Sequence, residues 1–162
     1  MRAAMTGMCC AVAVAAVVAC QPAAPQFTDA DAAVVRGMFD STVADLNAGR
    51  FDSWAARFSD NTLFQPPNEK TVNGRTGILT WIKALPQIEQ LSFSDVQVAG
   101  EGNLAYGSSA YVLKLKDIAA DTGKQLAVFR RGANGTWEVV AANFNSDLPL
   151  PVPAPAAGAK KG

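Results

Sequence analysis

The sequence predicts an α+β domain in which three helices precede a four-stranded antiparallel meander. Up to about residue 85, apolar residues recur at the spacing of amphipathic helices. From about residue 91 onward they alternate with polar residues, as they do in half-buried strands. Turns rich in glycine and asparagine separate the alternating runs. Helices followed by a run of strands are the pattern of the α+β class.

The first helix begins at Thr28, an N-cap residue that is followed three positions later by Asp31, as in a capping box. It ends at Asn47-Ala48-Gly49, because Gly49 can adopt the left-handed conformation that closes many helices. Between these ends an apolar stripe is predicted to face the core. The stripe consists of Val35, Met38, Phe39, Val43 and Leu46.

Two shorter helices follow the first. Asp52 is the predicted cap of the second helix, which directs Trp54 inward, and the third helix extends from about Arg75 to Leu85. A short strand at 62–65 lies between these helices. It stops at Pro66-Pro67, because proline cannot donate a hydrogen bond to a strand ladder.

The second half of the chain is predicted to form four strands. They cover residues 91–98, 104–116, 124–131 and 137–145. Gly107-Ser108-Ser109 interrupts the second of these strands and predicts a β-bulge there. Gly132-Ala133-Asn134-Gly135 predicts the hairpin turn that leads into the last strand.

The last predicted strand is apolar on both faces. Strict alternation places Trp137 on one face together with Asn143 and Asn145, and Val140 and Phe144 on the other. A strand that is apolar on both faces is usually covered on both. We therefore expect the helices to cover the face of Phe144. We expect a second copy of the chain, in a homodimer, to cover the face of Trp137. The alternative is that the third helix or the C-terminal Pro-rich tail of the same chain covers it.

The first twenty residues have the features of a bacterial signal peptide. An apolar segment too short to span a membrane follows the positive charge of Arg2. The string Val17-Val18-Ala19-Cys20 resembles a lipobox. It predicts that residues 1–19 are removed as a signal peptide and that Cys20 carries a lipid anchor. Cleavage at the same place without lipidation, and an uncleaved membrane anchor, are the alternatives.

Two segments rich in proline and alanine flank the predicted folded body, residues 27–148. Residues 20–26 contain two prolines and predict a short lipidated tether, and the Pro/Ala-rich residues 149–162 predict a flexible tail. Gln21 rather than Asp follows Cys20. By the sorting pattern of bacterial lipoproteins, this implies the outer membrane of the cell envelope, with the domain facing the periplasm.

Composition excludes several classes of function. The 162 residues include 14 Lys and Arg, 14 Asp and Glu, and no His. A net charge of zero without a basic block argues against nucleic acid as a partner. Without His, Ser-His-Asp and Cys-His nucleophiles are excluded. No phosphate-binding loop, cysteine pair or carboxylate cluster has the spacing of a ligand set, so we predict neither a cofactor nor a metal site.

Seven short motifs follow one another along the predicted body. They are Asn47-Ala48-Gly49-Arg50-Phe51, Phe58-Ser59-Asp60-Asn61-Thr62, Pro66-Pro67-Asn68, Asn73-Gly74-Arg75, Asn103-Leu104-Ala105-Tyr106-Gly107, Gly135-Thr136-Trp137-Glu138-Val139 and Asn145-Ser146-Asp147-Leu148-Pro149. In this order and spacing they resemble the SnoaL-like and ketosteroid-isomerase-like group of the nuclear transport factor 2-like superfamily. The resemblance implies a cone of three N-terminal helices wrapped by a curved, mainly antiparallel sheet.

The resemblance also allows the catalytic positions of steroid isomerases to be compared with this sequence. Gln65 stands where those enzymes have an Asp base, and Ala127 stands near the position of their oxyanion-hole acid. Ser41 or Thr42 stands near the position of their donor tyrosine. An amide cannot act as a base, and the reaction needs all three groups. We therefore assign no catalytic residue and expect no steroid isomerisation.

The same resemblance implies that apolar side chains of this sequence point into the cone. They are expected to line a pocket whose polar groups are the Gln65 amide and the Tyr111 hydroxyl. The alternative is that these side chains simply fill a core. The predicted ligand-binding residues are Trp54, Phe58, Gln65, Tyr111, Leu113, Phe129 and Phe144.

Three functions remain open at this point. The first is a lipid-anchored module that binds a small apolar or amphipathic molecule without catalysis. The second is a SnoaL-like enzyme, such as a cyclase, isomerase or hydrolase, that acts through positioning and hydrogen bonds. The third is a structural dimerisation module. A pocket of roughly 300 Å³ or more would favour the first two, and a cone filled by its aromatic residues would favour the third.

Overall fold

The computed structural model describes residues 25–149. The predicted signal peptide, Cys20, most of the tether and nearly all of the tail lie outside the described residues. The bounds of the elements are α1 Asp29–Asn47, α2 Phe51–Ala55, β1 Phe58–Gln65, β2 Val72–Asn73, α3 Gly74–Ala84, β3 Ile88–Glu101, β4 Leu104–Leu115, β5 Asp121–Arg131 and β6 Trp137–Ser146. The predicted α+β class and order of elements are confirmed.

The first helix has the predicted capping box. The Asp31 backbone N–H donates to Thr28 Oγ1 at 3.3 Å, and the Thr28 backbone N–H donates to Asp31 Oδ2 at 2.9 Å. The helix turns its apolar stripe inward and buries Val35 and Phe39. Gly49 follows the helix with a φ of 68°, the left-handed conformation expected of it.

The second helix differs from its prediction at the start. Arg50 occupies its N-cap position, and Asp52 lies in the first helical turn without capping the helix. The third helix begins at Gly74, one residue before the predicted start. It presents Ile78 and Ile82 to the core, where both are buried.

Six strands form one sheet in the order β2-β1-β6-β5-β4-β3. Strands β3 to β6 are the predicted meander, and each is antiparallel to its neighbours in the chain. Strand β1 pairs in parallel with β6, so the sheet is mixed. Strand β2 was not predicted, because two residues are too few to show a pattern. The helices pack on one face of this curved sheet.

A β-bulge in β6 reverses the direction of its side chains. Phe129 of β5 pairs with Val139, but the preceding residue, Val128, pairs with Ala141, so Val140 is the extra residue. As a result, Trp137 points to the core at one end of the strand and Phe144 points to the core at the other. The expectation that Trp137 faces outward and Val140 inward is therefore wrong.

The cover over Trp137 comes from the start of the same chain. Trp137 is only 5% exposed, and the ring of Phe27 packs against it edge to face at 5.7 Å. Its indole N–H donates to Asp31 Oδ1 at 3.2 Å. The Arg131 guanidinium lies 4.9 Å from the ring centroid and pairs with the same carboxylate. A second copy of the chain is therefore not needed to bury Trp137.

The bulge predicted at Gly107-Ser108-Ser109 is not in β4. Strand β4 pairs continuously with β5 through these residues, and the extra residue lies opposite, in β3 between Ser94 and Gln97. Gly107 has a different role. A methyl group at this position would lie 2.6 Å from the ring of Phe39 on α1. Because Gly107 has no side chain, α1 can approach the sheet closely.

Two glycine substitutions test this close approach. Gly107→Ala should lower the free energy of unfolding by about 1–3 kcal/mol, because the added methyl group must displace Phe39. Gly37→Ala is the matched control on α1, where an added methyl group meets no atom within 4 Å. It should raise stability by about 0.5–1 kcal/mol through helix propensity. Urea unfolding measures both values, and a neutral Gly107→Ala would contradict the packing argument.

Candidate functional site

The space between the sheet and the three helices is not completely filled. It contains a cavity of about 120 Å³, with walls formed mostly by aromatic and aliphatic side chains. Four residues with polar or charged side chains reach it: Thr42, Arg57, Tyr111 and Gln125. The cavity is smaller than the roughly 300 Å³ expected of a ligand pocket from the sequence, and the aromatic residues do not fill the cone completely.

Six of the seven predicted ligand-binding residues line this cavity. They are Trp54, Phe58, Tyr111, Leu113, Phe129 and Phe144. Their role in binding stays a prediction. Gln65 is the exception: alternation along β1 turns Phe64 into the core, so the neighbouring Gln65 side chain is exposed on the other face, beside Asn143. The prediction that Gln65 lines the pocket is wrong. Phe64, the preceding residue of β1, lines it instead.

Aromatic rings support one another along one wall. Trp54 packs edge to face on Phe58 with 4.8 Å between ring centroids, and Phe64 packs in the same way on Trp81 at 5.0 Å. Phe144 contacts both Phe64 and Trp81. Edge-to-face contacts are a favoured geometry for aromatic pairs. The wall is therefore formed by packing of aromatic rings within the protein.

The Tyr111 hydroxyl is already engaged. It donates to Asp121 Oδ2 at 2.8 Å, and Ser146 Oγ donates to the other oxygen of the same carboxylate at 2.6 Å. Burial raises the pKa of Tyr111, and the hydrogen bond and negative charge of Asp121 raise it further. The phenol is therefore neutral and its proton is held by Asp121. The expected hydrogen bond from Tyr111 to a ligand would require this contact to break.

Two other polar groups of the cavity also make internal hydrogen bonds. Thr42 Oγ1 donates to the backbone oxygen of Met38 at 2.8 Å, and Gln125 Nε2 donates to Ser109 Oγ at 3.0 Å. Gln125 is not among the residues predicted from the sequence, although it lies two residues before Ala127 and therefore on the same face of β5. The alternation of side chains along β5 is enough to place Gln125 on the face that lines the cavity.

Arg57 lies at the edge of the cavity, in the junction between α2 and β1. Its Nη2 pairs with Asp45 Oδ2, and Arg50 Nε donates to Asp45 Oδ1 at 2.7 Å. The hydrogen bond from Arg57, together with those from Arg50 and Ser53, lowers the pKa of the buried Asp45 carboxyl to about 2, although burial opposes this shift. No periodicity marks a junction between elements, so the sequence carried no signal for Arg57.

Several kinds of group do not occur at the site as described. Among residues 25–149, no Asp or Glu lines the cavity. Within the same range, no group of three His, Cys, Asp or Glu side chains lies close enough to hold a metal ion. None of the helices in this part of the chain is long and apolar enough to cross a membrane.

No family model matches the sequence. No curated protein matches it either. Solved structures do match. A nuclear transport factor 2-like protein of unknown function from Pseudomonas putida superposes with a TM-score of 0.67 at 11% identity, over 76% of this chain and 91% of that chain. A ketosteroid isomerase-like protein from Erwinia carotovora atroseptica gives a TM-score of 0.63 at 14% identity, over 75% and 100%.

ActVI-ORFA from Streptomyces coelicolor gives a TM-score of 0.56 at 19% identity, over 71% of this chain and 96% of that chain. At these identities the likeness shows the fold and not the activity. The described part of the chain has the nuclear transport factor 2-like fold. The fold that the sequence motifs implied is therefore confirmed.

The Asp45 ion pairs predict an acid-sensitive fold. The pKa of Asp45 is about 2 in the folded chain against an ordinary value of 3.8, so its contribution to stability is present above about pH 4 and is lost as the pH falls toward 2. Asp45→Asn should be less stable at neutral pH by about 1–3 kcal/mol. It should also lose less stability between pH 4 and pH 2 than the wild type does.

Urea unfolding at a series of pH values measures both effects. Asp40→Asn is the control, because Asp40 is exposed on the same helix. This variant should keep the acid dependence of the wild type. Identical acid dependence in Asp45→Asn and the wild type would show that the ion pairs of Asp45 do not set it.

Proposed function

We propose that this domain binds one small apolar molecule in the cavity between the sheet and the helices. The supporting observation is the unfilled, aromatic-walled space between the sheet and the helices. Protein interiors rarely contain voids larger than a water molecule. At about 24 cal/mol per Å³, an empty cavity of 120 Å³ lowers the stability of the fold by on the order of 3 kcal/mol. A ligand that fills it would recover part of that energy.

The size of the cavity limits the size of the ligand. An apolar cavity of about 150 Å³ in a protein core stays dry and takes up benzene. The present cavity therefore suits a molecule with a single six-membered ring or an aliphatic group of similar volume. Drug-sized ligands occupy pockets of roughly 300 Å³ or more, so a steroid skeleton does not suit this conformation.

The same observations argue for binding without steroid-isomerase chemistry. The position of the base is occupied by Gln65, which lies outside the cavity, and Ala127 stands near the position of the oxyanion-hole acid. The proton of Tyr111 is held by Asp121. We propose that the domain holds its ligand through apolar contact and does not move protons at steroid carbons.

Binding of a small aromatic probe tests the proposed function. Toluene should bind the wild-type protein saturably and change the fluorescence of Trp54 and Trp81, which line the cavity. Ala127→Leu and Ala142→Leu each place a larger side chain into the cavity and should weaken toluene binding at least tenfold. Ala99→Leu, an exposed position of β3, is the matched control and should bind as the wild type does.

Thermal unfolding reports whether each variant is folded and whether toluene raises its melting temperature. Equal toluene binding by the wild type and by both folded cavity variants would contradict the proposal. Mass spectrometry of compounds that copurify with the wild-type protein then identifies the natural ligand.

We also propose that two copies of the chain associate through the outer face of the sheet. This face carries large apolar side chains that are 39–50% exposed, namely Leu63, Leu104, Tyr106, Val112 and Leu126. The strand register connects part of them into one row, from Tyr106 through Val128 and Ala141 to Leu63. Monomers seldom leave contiguous apolar patches in water. A two-fold contact would cover the patch on each of the two copies at once.

The composition of the proposed contact differs from the one expected from the sequence. Asn143 and Asn145 remain on the outer face, but Trp137 is buried inside the chain. Sedimentation of residues 25–162 should show a dimer at tens of micromolar, and Leu126→Glu should convert it into a monomer. Ile118→Glu, an exposed apolar position in the turn after β4, should remain dimeric. A wild-type monomer at these concentrations would contradict this proposal.

We further propose that Cys20 anchors the domain to the outer membrane through lipid, with the domain facing the periplasm. The support comes from the lipobox-like string and from Gln21, both outside the described residues. In a bacterial host, Cys20→Ser should abolish incorporation of labelled fatty acid and release the protein from the membrane fraction. Cys10→Ser, within the predicted signal peptide, is the control and should leave both unchanged. Normal membrane association of Cys20→Ser would contradict the anchor.

A further inference from the structure

The charged cluster beside the cavity has one more positive than negative side chain. Asp45 is buried and accepts from two arginines, Arg50 and Arg57. Three charged side chains therefore leave an excess of one positive charge. Arg50 is half exposed, so water can solvate it, whereas the Arg57 side chain is 22% exposed. The excess charge is thus carried next to the apolar cavity.

One nitrogen of Arg57 is left without a partner. Its Nη2 pairs with Asp45, but its Nη1 is buried and has no hydrogen-bond partner among residues 25–149. Buried donors are nearly always satisfied in folded proteins, and an unsatisfied charged donor is costly. Arg57 is also one of the residues that line the cavity. Protein atoms cover Nη1 in this conformation, so a molecule in the cavity would supply the missing acceptor once the guanidinium group turns toward the cavity.

Contacts within the protein hold the backbone of Arg57 and one side of its guanidinium group. Its backbone N–H donates to the Trp54 oxygen at 3.2 Å, and its backbone oxygen accepts from the Val139 N–H at 2.9 Å. Asp45 holds the guanidinium group from one side. A side chain with a fixed backbone and one paired nitrogen loses less freedom when a ligand binds, which favours affinity.

The other polar groups of the cavity are less suited to meet a charged ligand. Thr42, Tyr111 and Gln125 each already donate a hydrogen bond within the protein. None of them carries a charge, and the raised pKa of Tyr111 keeps its phenol neutral. Arg57 is the cationic side chain among the described residues of the wall.

We propose that the ligand of this cavity is a small monocarboxylate, with an apolar or aromatic body in the cavity and its carboxylate accepting a hydrogen bond from Arg57 Nη1. One carboxylate would balance the excess charge of the Asp45, Arg50 and Arg57 cluster. Guanidinium groups bind carboxylates with well-matched geometry. This inference rests on the proposed function, because it names the chemical class of the molecule bound in the same cavity.

Three probes of similar shape test the inference: benzoate, benzamide and toluene. All are titrated into the wild-type protein at pH 7 and constant ionic strength, with tryptophan fluorescence and calorimetry as readouts. Benzoate is charged, benzamide is a neutral molecule of almost the same shape, and toluene has no acceptor. We expect benzoate to bind at least tenfold more tightly than benzamide.

Two conservative variants separate the role of Arg57 from the general charge of the cluster. Arg57→Lys keeps the charge and removes Nη1, and it should weaken benzoate binding at least tenfold while toluene binding changes less than threefold. Arg50→Lys makes the same change at the other arginine that pairs with Asp45. Arg50 does not line the cavity. It should bind all three probes as the wild type does.

A measurement on the unmodified protein covers the case in which Arg57→Lys does not fold. Benzoate should shift the guanidinium NMR signals of Arg57, and toluene should not. Equal affinity for benzoate and benzamide, or equal loss of benzoate affinity in both lysine variants, would overturn the carboxylate assignment while toluene binding still supports the proposed function. Failure of all three probes to bind would overturn the proposed function itself.

Discussion

The extra residue in β6 decides how the two halves of this molecule meet. Strand β6 lies inside the sheet, between β1 and β5. Without the bulge at Val140, its side chains would alternate strictly, and Trp137 and Phe144 would point to opposite faces. With the bulge, both point into the core. One strand therefore closes the cone against the start of α1 at one end and forms the wall of the cavity at the other.

The two ends of β6 are stabilised by different chemistry. At the first end, Asp31 joins the helix cap, the Trp137 indole and the Arg131 guanidinium, so a single carboxylate links the start of the domain to its last hairpin. At the second end, the contacts are between aromatic rings, and Phe144 packs on Phe64. The first end is buried against the start of α1, and the second borders the unfilled space.

Asp45 and Arg57 connect this packing to the cavity. A buried carboxylate is stable only when it is paired, and Asp45 on α1 is paired by arginines on either side of α2. Two arginines satisfy its oxygens, but they leave one donor of Arg57 unsatisfied beside an apolar space. The interaction that holds α1 to the junction of α2 and β1 is thus the same one that leaves an uncompensated charge at the candidate site.

The sequence by itself determined the α+β class, the limits of α1, the hairpin at residues 132–135 and most of the aromatic wall. These features depend on local chemistry: a capping box, glycine in turns, and alternation within one strand. Only the tertiary structure decided the bulge in β6, the one-residue shift that exposes Gln65, and the pairing of Arg57 with Asp45. These depend on register between strands and on contacts between distant residues, and neither leaves a periodic signal in one chain.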